Sequence, residues 1–169
     1  MEWTLISGTW KTTDEAVLRT VRQVTRDTLA AGNGIITGGA LGVDLAASEE
    51  CLRRFPDGSR LRIVIPSPLR NYIDHYRQRA EEGVISDLQA EQLINVLEAL
   101  RKVNPDHLYE LAHTQIDASA YYARNTEAVQ LADSVIAFSI AKSAGTADTV
   151  TKAKNRGIPV TLNEYEKRY

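Results

Sequence analysis

Three times in this chain a short apolar run ends in a glycine- or hydroxyl-rich turn and passes directly into a segment of helical period. Leu5-Ile6 leads to Ser7-Gly8-Thr9, Ile35-Ile36 to Thr37-Gly38-Gly39, and Val135-Ile136-Ala137-Phe138 to Lys142-Ser143-Ala144-Gly145-Thr146. Apolar runs this short, alternating with helices, read as strands buried on both faces, and a parallel sheet with helices above and below supplies that burial. Leu61 to Ile65, cut off by Pro66 and Pro68, and Pro159 to Leu162 add two further strands. The expectation is an α/β three-layer sandwich with a mostly parallel sheet of about five strands.

The helices follow from period and punctuation. Thr12 and Glu15 have capping-box spacing for a first helix with Val17, Leu18, Val21, Val24 and Leu29 on one face, ended by Gly32. A second runs from Gly42 to Phe55 and closes at Pro56-Asp57-Gly58, and two more cover Ala118 to Ala132 and Ala147 to Asn155, the last ended by Gly157. Residues 70–117 break the alternation as a helical insertion. Tyr72 to Glu82 reads as one helix and Asp87 to Val103 as another, with Ser86 as cap, Asn104-Pro105 as stop, and Leu88, Val96, Leu100 and Val103 on one face. That face is wider than one helix pair needs, which suggests a homodimer seam.

At 169 residues and 43% hydrophobic the chain is expected to form one domain over 1–169, burying roughly 70% of its unfolded surface. A single cysteine, Cys51, inside a predicted helix, gives neither a disulfide framework nor a cysteine metal site and fits a reducing cytosol. Met1 to Ile6 has no basic leader, and no run approaches the ~18 apolar residues of a membrane span, so a cytoplasmic protein with no membrane partner is expected. Twenty basic and 22 acidic side chains are mixed along the chain for a net charge of -2, with no basic stripe of the nucleic-acid kind.

The chemistry concentrates at the three turns. Glycines after parallel strands let backbone N–H groups approach a phosphate, and the helix that follows adds the positive end of its dipole. Ser7, Gly8, Thr9, Gly38, Gly39, Gly42, Ser143, Gly145 and Thr146 are therefore candidate nucleotide-binding residues, converging where open sheets hold ligands. Gly38-x-x-x-Gly42 is neither the dinucleotide fingerprint nor a P-loop, which disfavours a nicotinamide oxidoreductase or a nucleoside triphosphatase. Arg124 is the candidate phosphate clamp, Asn125 a candidate reader of a base edge, and Asp44 a candidate acceptor from a ribose hydroxyl or ligand of a hydrated metal. Lys11 could neutralise phosphate, and Tyr121 or Tyr122 could stack on a base. His75, His107 and His113 lack metal-ligand spacing.

Thr37-Gly38-Gly39-Ala40-Leu41-Gly42-Val43-Asp44, Ala123-Arg124-Asn125 and Ala144-Gly145-Thr146 together resemble the Rossmann-like domain of the DNA-processing protein A family. That domain belongs to the SLOG superfamily, with the "lysine decarboxylase-like" nucleotide phosphoribohydrolases and the molybdenum cofactor carriers. The resemblance spans most of the chain outside residues 70–117 and implies a Rossmann-like sandwich. In the DNA-processing proteins an Arg stands where this chain has Leu41 and a His where it has Ser48. In the phosphoribohydrolases a glutamate works with the arginine matched by Arg124; here Thr149 takes the glutamate place, and Asp148 beside it is turned by about 100°.

The function expected from these readings is binding of a nucleotide or a phosphorylated ribose derivative, as carrier or sensor, with no cofactor beyond a divalent cation accompanying the nucleotide. The first alternative is a nucleotide phosphoribohydrolase or other N-glycosidase with Arg124 and Asp148 as catalytic residues. The second is single-stranded DNA binding in recombination, as the DNA-processing family implies.

Overall fold

A computed structural model of the chain describes residues 1–12 and 14–167. The strands are β1 (Trp3–Gly8), β2 (Gly34–Thr37), β3 (Leu61–Ile65), β4 (Leu108–Glu110), β5 (Ser134–Ile140) and β6 (Val160–Tyr165). The helices are α1 (Glu15–Ala30), α2 (Val43–Arg54), α3 (Leu69–Glu81), α4 (Asp87–Val103), α5 (Ala118–Leu131) and α6 (Ala144–Arg156). The strands form one sheet in the order β4-β3-β2-β1-β5-β6, every pairing parallel. Successive strands step outward from β1 to β4, then the chain returns to the other side of β1 as β5. The order reverses between β1 and β5, and the crevice at their carboxyl ends is where such sheets bind ligands.

Both faces of the sheet are covered. Successive residues of a strand point to opposite sides, and Ile35 and Ile36 are both fully buried because each meets its own helix layer. Ile6, Ile35 and Ile63 pack with Val17 and Val21 of α1, Val43 and Cys51 of α2, and Leu93 and Leu97 of α4. Leu5, Ile36, Val64 and Ala137 pack with Ala128 and Val129 of α5 and Val150 and Ala153 of α6. The three-layer Rossmann-like sandwich expected from the alternation is present.

The departures are local. The cap of α1 is Asp14, whose carboxylate accepts from the N–H groups of Ala16 and Val17, while Thr12 accepts from the Asp14 N–H, so the Thr12–Glu15 box is not formed. Ser86 caps α4 as expected, reciprocated by Gln89. The insertion holds a sixth strand, β4, three residues with Leu108 buried against β3, too short for any period-2 signal. Helix α6 begins at Ala144, three residues earlier than expected, and β6 continues to Tyr165 as an edge strand. Of the α4 face read from the sequence, Val96 and Leu100 are buried within this chain beside Leu93, Ile94 and Leu97, while Leu88 and Val103 at its ends are exposed.

Candidate functional site

The glycine turn after β2 is buried from Gly38 to Leu41. Its path requires glycine at two places. Gly42 sits at φ 71° and ψ -120°, and a Cβ there would meet the Thr9 carbonyl oxygen at 2.5 Å. Gly39, at φ +65°, would place a Cβ within 3 Å of the Ile63 and Ile65 side chains. Because the turn is buried, its polar groups need partners inside the protein. Asp44 Oδ2 accepts from the N–H groups of Gly38 at 3.2 Å and Ala40 at 3.3 Å, and Thr37 Oγ1 from that of Gly39 at 3.4 Å. Tyr72 of α3 donates its hydroxyl to the Gly39 carbonyl at 2.8 Å, and Arg124 of α5 donates to the Gly38 carbonyl.

The amides that would cradle a phosphate are thus held by Asp44, a carboxylate of the protein's own. Asp44 is 5% exposed. Burial pushes its carboxyl up to about 6, against the opposing pull of the Arg124 charge and of the N–H groups of Ala40, Gly38 and Gly8. Ser48 is tied to Thr37 at 2.8 Å, both hydroxyls buried.

The other two turns divide their labour. Gly8 lets β1 press against β5 and α2, since a Cβ would fall 2.5 Å from the Phe138 oxygen and 2.6 Å from Val43 Cγ2. Thr9 closes the same seam: its N–H donates to the Phe138 carbonyl at 3.1 Å and its hydroxyl accepts from the Ile140 N–H at 2.9 Å. After β5, Ala141 and Lys142 both adopt positive φ, at 53° and 56°, before α6 begins. The first turn of α6 has no side-chain cap from Ser143, and an added Cβ at Gly145 would meet nothing within 4 Å, while its carbonyl accepts from Asn125 Nδ2 at 3.4 Å. Thr146 is buried and donates to Ser143 Oγ at 3.2 Å.

A polar chain crosses from α5 to α6. Arg124 Nε donates to Asn125 Oδ1 at 2.8 Å, and Asn125 Nδ2 donates to Asp148 Oδ2 at 3.1 Å. Lys152 binds that same oxygen at 2.8 Å and the Tyr122 carbonyl at 2.8 Å. The guanidinium of Arg124 lies 5.3 Å from the Tyr121 ring centroid and flat against Gly38, where an added Cβ would be 2.5 Å from Nη1.

Between these elements lies a cleft lined by Leu5, Ser7, Gly38, Asp44, Arg124, Asn125, Ala128 and Thr149, with about 10 Å³ of room, enough for one water. Five residues singled out from the sequence meet there: Ser7, Gly38, Asp44, Arg124 and Asn125. Gly8, Thr9, Gly39 and Gly42 lie behind it as packing and turn residues, and Ser143, Gly145 and Thr146 lie at the α6 start. Asp148 faces Asn125 and Lys152, and Thr149 reaches the cleft instead, as the rotation between neighbouring helical residues dictates. Tyr72, whose hydroxyl holds the glycine turn, carries no signal in the sequence beyond its helical period.

No protein-family model and no curated protein matches this chain. Solved structures do. DNA processing protein A from Helicobacter pylori, described for its single-stranded DNA binding mode, superposes with a TM-score of 0.65 at 20% identity, over 95% of this chain and 64% of that one. The protein TM1055 gives 0.54 at 18% identity over 95% of this chain and 72% of its own. DNA processing protein A from Streptococcus pneumoniae gives 0.53 at 16%, over 96% and 59%. The chain has the Rossmann-like fold of these proteins and spans less than two thirds of the two DNA-processing proteins.

Proposed function

We propose that this chain binds a nucleotide or nucleotide derivative at the β1–β5 crevice, with the ligand phosphate received by Arg124 and the open start of α6. The observation that carries this reading is the company Arg124 keeps. Its guanidinium is partly buried at the sheet's ligand edge, yet its hydrogen bonds go to neutral oxygens, the Gly38 carbonyl and the Asn125 carboxamide. Among the described residues no carboxylate lies within ion-pair distance of it. A phosphate offers the same donors charge-assisted, bidentate bonds of about twice the strength, so an anionic ligand draws the side chain off Gly38 and widens the cleft. The α6 start, which takes no side-chain cap from Ser143, would add its first-turn N–H groups and its dipole to the phosphate site.

Binding is favoured over N-glycoside hydrolysis by the carboxylates. Asp44 is the one acid lining the cleft among the described residues, and it is committed to backbone amides. Asp148 does not line the cleft and is tied to Asn125 and Lys152. The second reading, single-stranded DNA binding, rests on the fold shared with the Helicobacter pylori protein; it predicts retardation of an oligonucleotide that weakens steeply with salt. Burial pushes the Cys51 thiol up to about 12, so it stays protonated at neutral pH.

The test is a thermal-shift screen with the four common nucleoside 5′-monophosphates, ribose 5-phosphate and inorganic phosphate, each tube assayed afterwards for free base. At a hundred times its dissociation constant a ligand raises the melting temperature by roughly 5–10 °C, is recovered intact, and loses its effect in Arg124→Ala. No shift with any of them removes the reading, and liberated base replaces it with the hydrolase.

A further inference from the structure

The carboxamide of Asn125 has no donor to spare for a base edge. The residue is 6% exposed. Its Oδ1 accepts from Arg124 Nε at 2.8 Å, and its Nδ2 donates to the Gly145 carbonyl at 3.4 Å and to Asp148 Oδ2 at 3.1 Å. A carboxamide has two donor hydrogens, and both are spent on α6. The group fits only one way round: Arg124 Nε donates and cannot accept, whereas the Gly145 carbonyl and the Asp148 carboxylate present oxygens. Asn125 thus joins two pieces of the proposed phosphate site, the Arg124 guanidinium and the first turn of α6.

It also keeps two opposite charges apart. Asp148 stands one carboxamide away from Arg124, and its Oδ2 is met instead by Lys152 Nζ at 2.8 Å, a lysine that donates as well to the Tyr122 carbonyl on α5 at 2.8 Å. With the Asn125 oxygen on Nε and the Gly38 carbonyl on Nη1, the guanidinium is oriented without being neutralised. An aspartate at position 125 would fill nearly the same space and orient the same nitrogen. It would, however, take up the charge that a phosphate needs, and it would turn an acceptor toward Gly145 and Asp148 where a donor is required.

Resting on the nucleotide reading above, we infer that Asn125 is the positioning residue of the phosphate site: it braces Arg124 against the start of α6 and holds Asp148 off the cation, so that Arg124 meets a ligand phosphate oriented and still charged. When the phosphate draws Nη1 off Gly38, the bond from Nε to Asn125 is the pivot.

The experiment compares the wild-type protein, Asn125→Ala, Asn125→Asp, and Asn125→Asp combined with Asp148→Asn. Each is titrated calorimetrically with the four nucleoside 5′-monophosphates and inorganic phosphate, melted, and examined by nuclear magnetic resonance at the Nε–H signal of Arg124, identified by its loss in Arg124→Lys. Asn125→Ala unties the side chain. Its Arg124 signal exchanges faster with solvent, and the tightest monophosphate binds roughly three- to ten-fold more weakly, the cost of ordering one more long side chain on binding. Asn125→Asp sets carboxylate against carboxylate and lowers the melting temperature. The double variant again faces a donor with an acceptor between the two helices and recovers most of that temperature, yet it binds monophosphates roughly ten-fold or more weakly than wild type because an ion pair now holds Arg124. Stability recovered without binding separates the neutrality of position 125 from its packing. Wild-type affinity in the double variant, or an unchanged Arg124 signal in Asn125→Ala, overturns the proposal and leaves the nucleotide reading standing. If the wild-type protein binds neither the monophosphates nor phosphate, both fall together.

Discussion

Asp44 and Arg124 hold the same residue from opposite ends: the Asp44 carboxylate accepts from the Gly38 N–H at 3.2 Å, and the Arg124 guanidinium donates to the Gly38 carbonyl. An acid inside the protein occupies the anion site of the glycine turn, and the cation that a ligand would need rests one peptide away. The site is closed by its own charges.

This arrangement gives stability a pH dependence. The Asp44 carboxyl stands near 3.8 when unfolded and at about 6 in the fold, raised chiefly by burial. The native state keeps a proton that the unfolded chain releases, so the stabilisation is complete below pH 4, declines as pH rises through about 6, and is gone above it, a change of about 3 kcal/mol. Denaturant unfolding of the wild-type protein and Asp44→Asn between pH 4 and pH 7.5 should show the wild-type protein losing ground to the variant over that window. A constant difference between the two would refute this assignment.

Two glycines four residues apart should respond oppositely to alanine. At Gly42 the backbone lies in a region reserved for glycine and the new Cβ strikes the Thr9 and Trp10 backbone, which cannot yield. Gly42→Ala should cost about 2–4 kcal/mol and lower the melting temperature by roughly 5–15 °C. At Gly38 the Cβ meets the movable end of Arg124. Gly38→Ala should fold within about 1 kcal/mol of wild type and show its effect in ligand affinity instead. Thermal melts with and without a nucleoside monophosphate separate the two.

How much of this was legible in the sequence depends on the range of the signal. The alternation of apolar runs and helices located five strands and all six helices because each carries its own period. β4 escaped because Leu108 is the one buried residue of a three-residue strand whose pairing with Ile63 is tertiary. The start of α1 moved because Asp14, not Thr12, reaches the free amides. The glycine turn read as an anion site, and in the fold its Gly38 and Ala40 amides are taken by Asp44, an acid in the first turn of the following helix.

Tyr72 supplies the roof of the same turn. Its hydroxyl donates to the Gly39 carbonyl at 2.8 Å in a fully buried setting, and the Tyr76 hydroxyl lies 3.3 Å away. Tyr72→Phe keeps the ring and orphans the carbonyl, which should cost about 1–3 kcal/mol. Urea unfolding should show a lower midpoint at an unchanged slope; an unchanged midpoint would mean that the turn does not depend on α3.

Calorimetric titration of the nucleoside 5′-monophosphates into the wild-type protein, Arg124→Lys and Arg124→Ala tests the assignment of phosphate to Arg124 most directly. Loss of a charge-assisted bidentate contact should weaken binding roughly 10- to 100-fold in Arg124→Ala, with Arg124→Lys between the two because an ammonium cannot match the fork. Nucleotide binding of equal affinity in all three proteins would contradict it and move the phosphate elsewhere on the molecule.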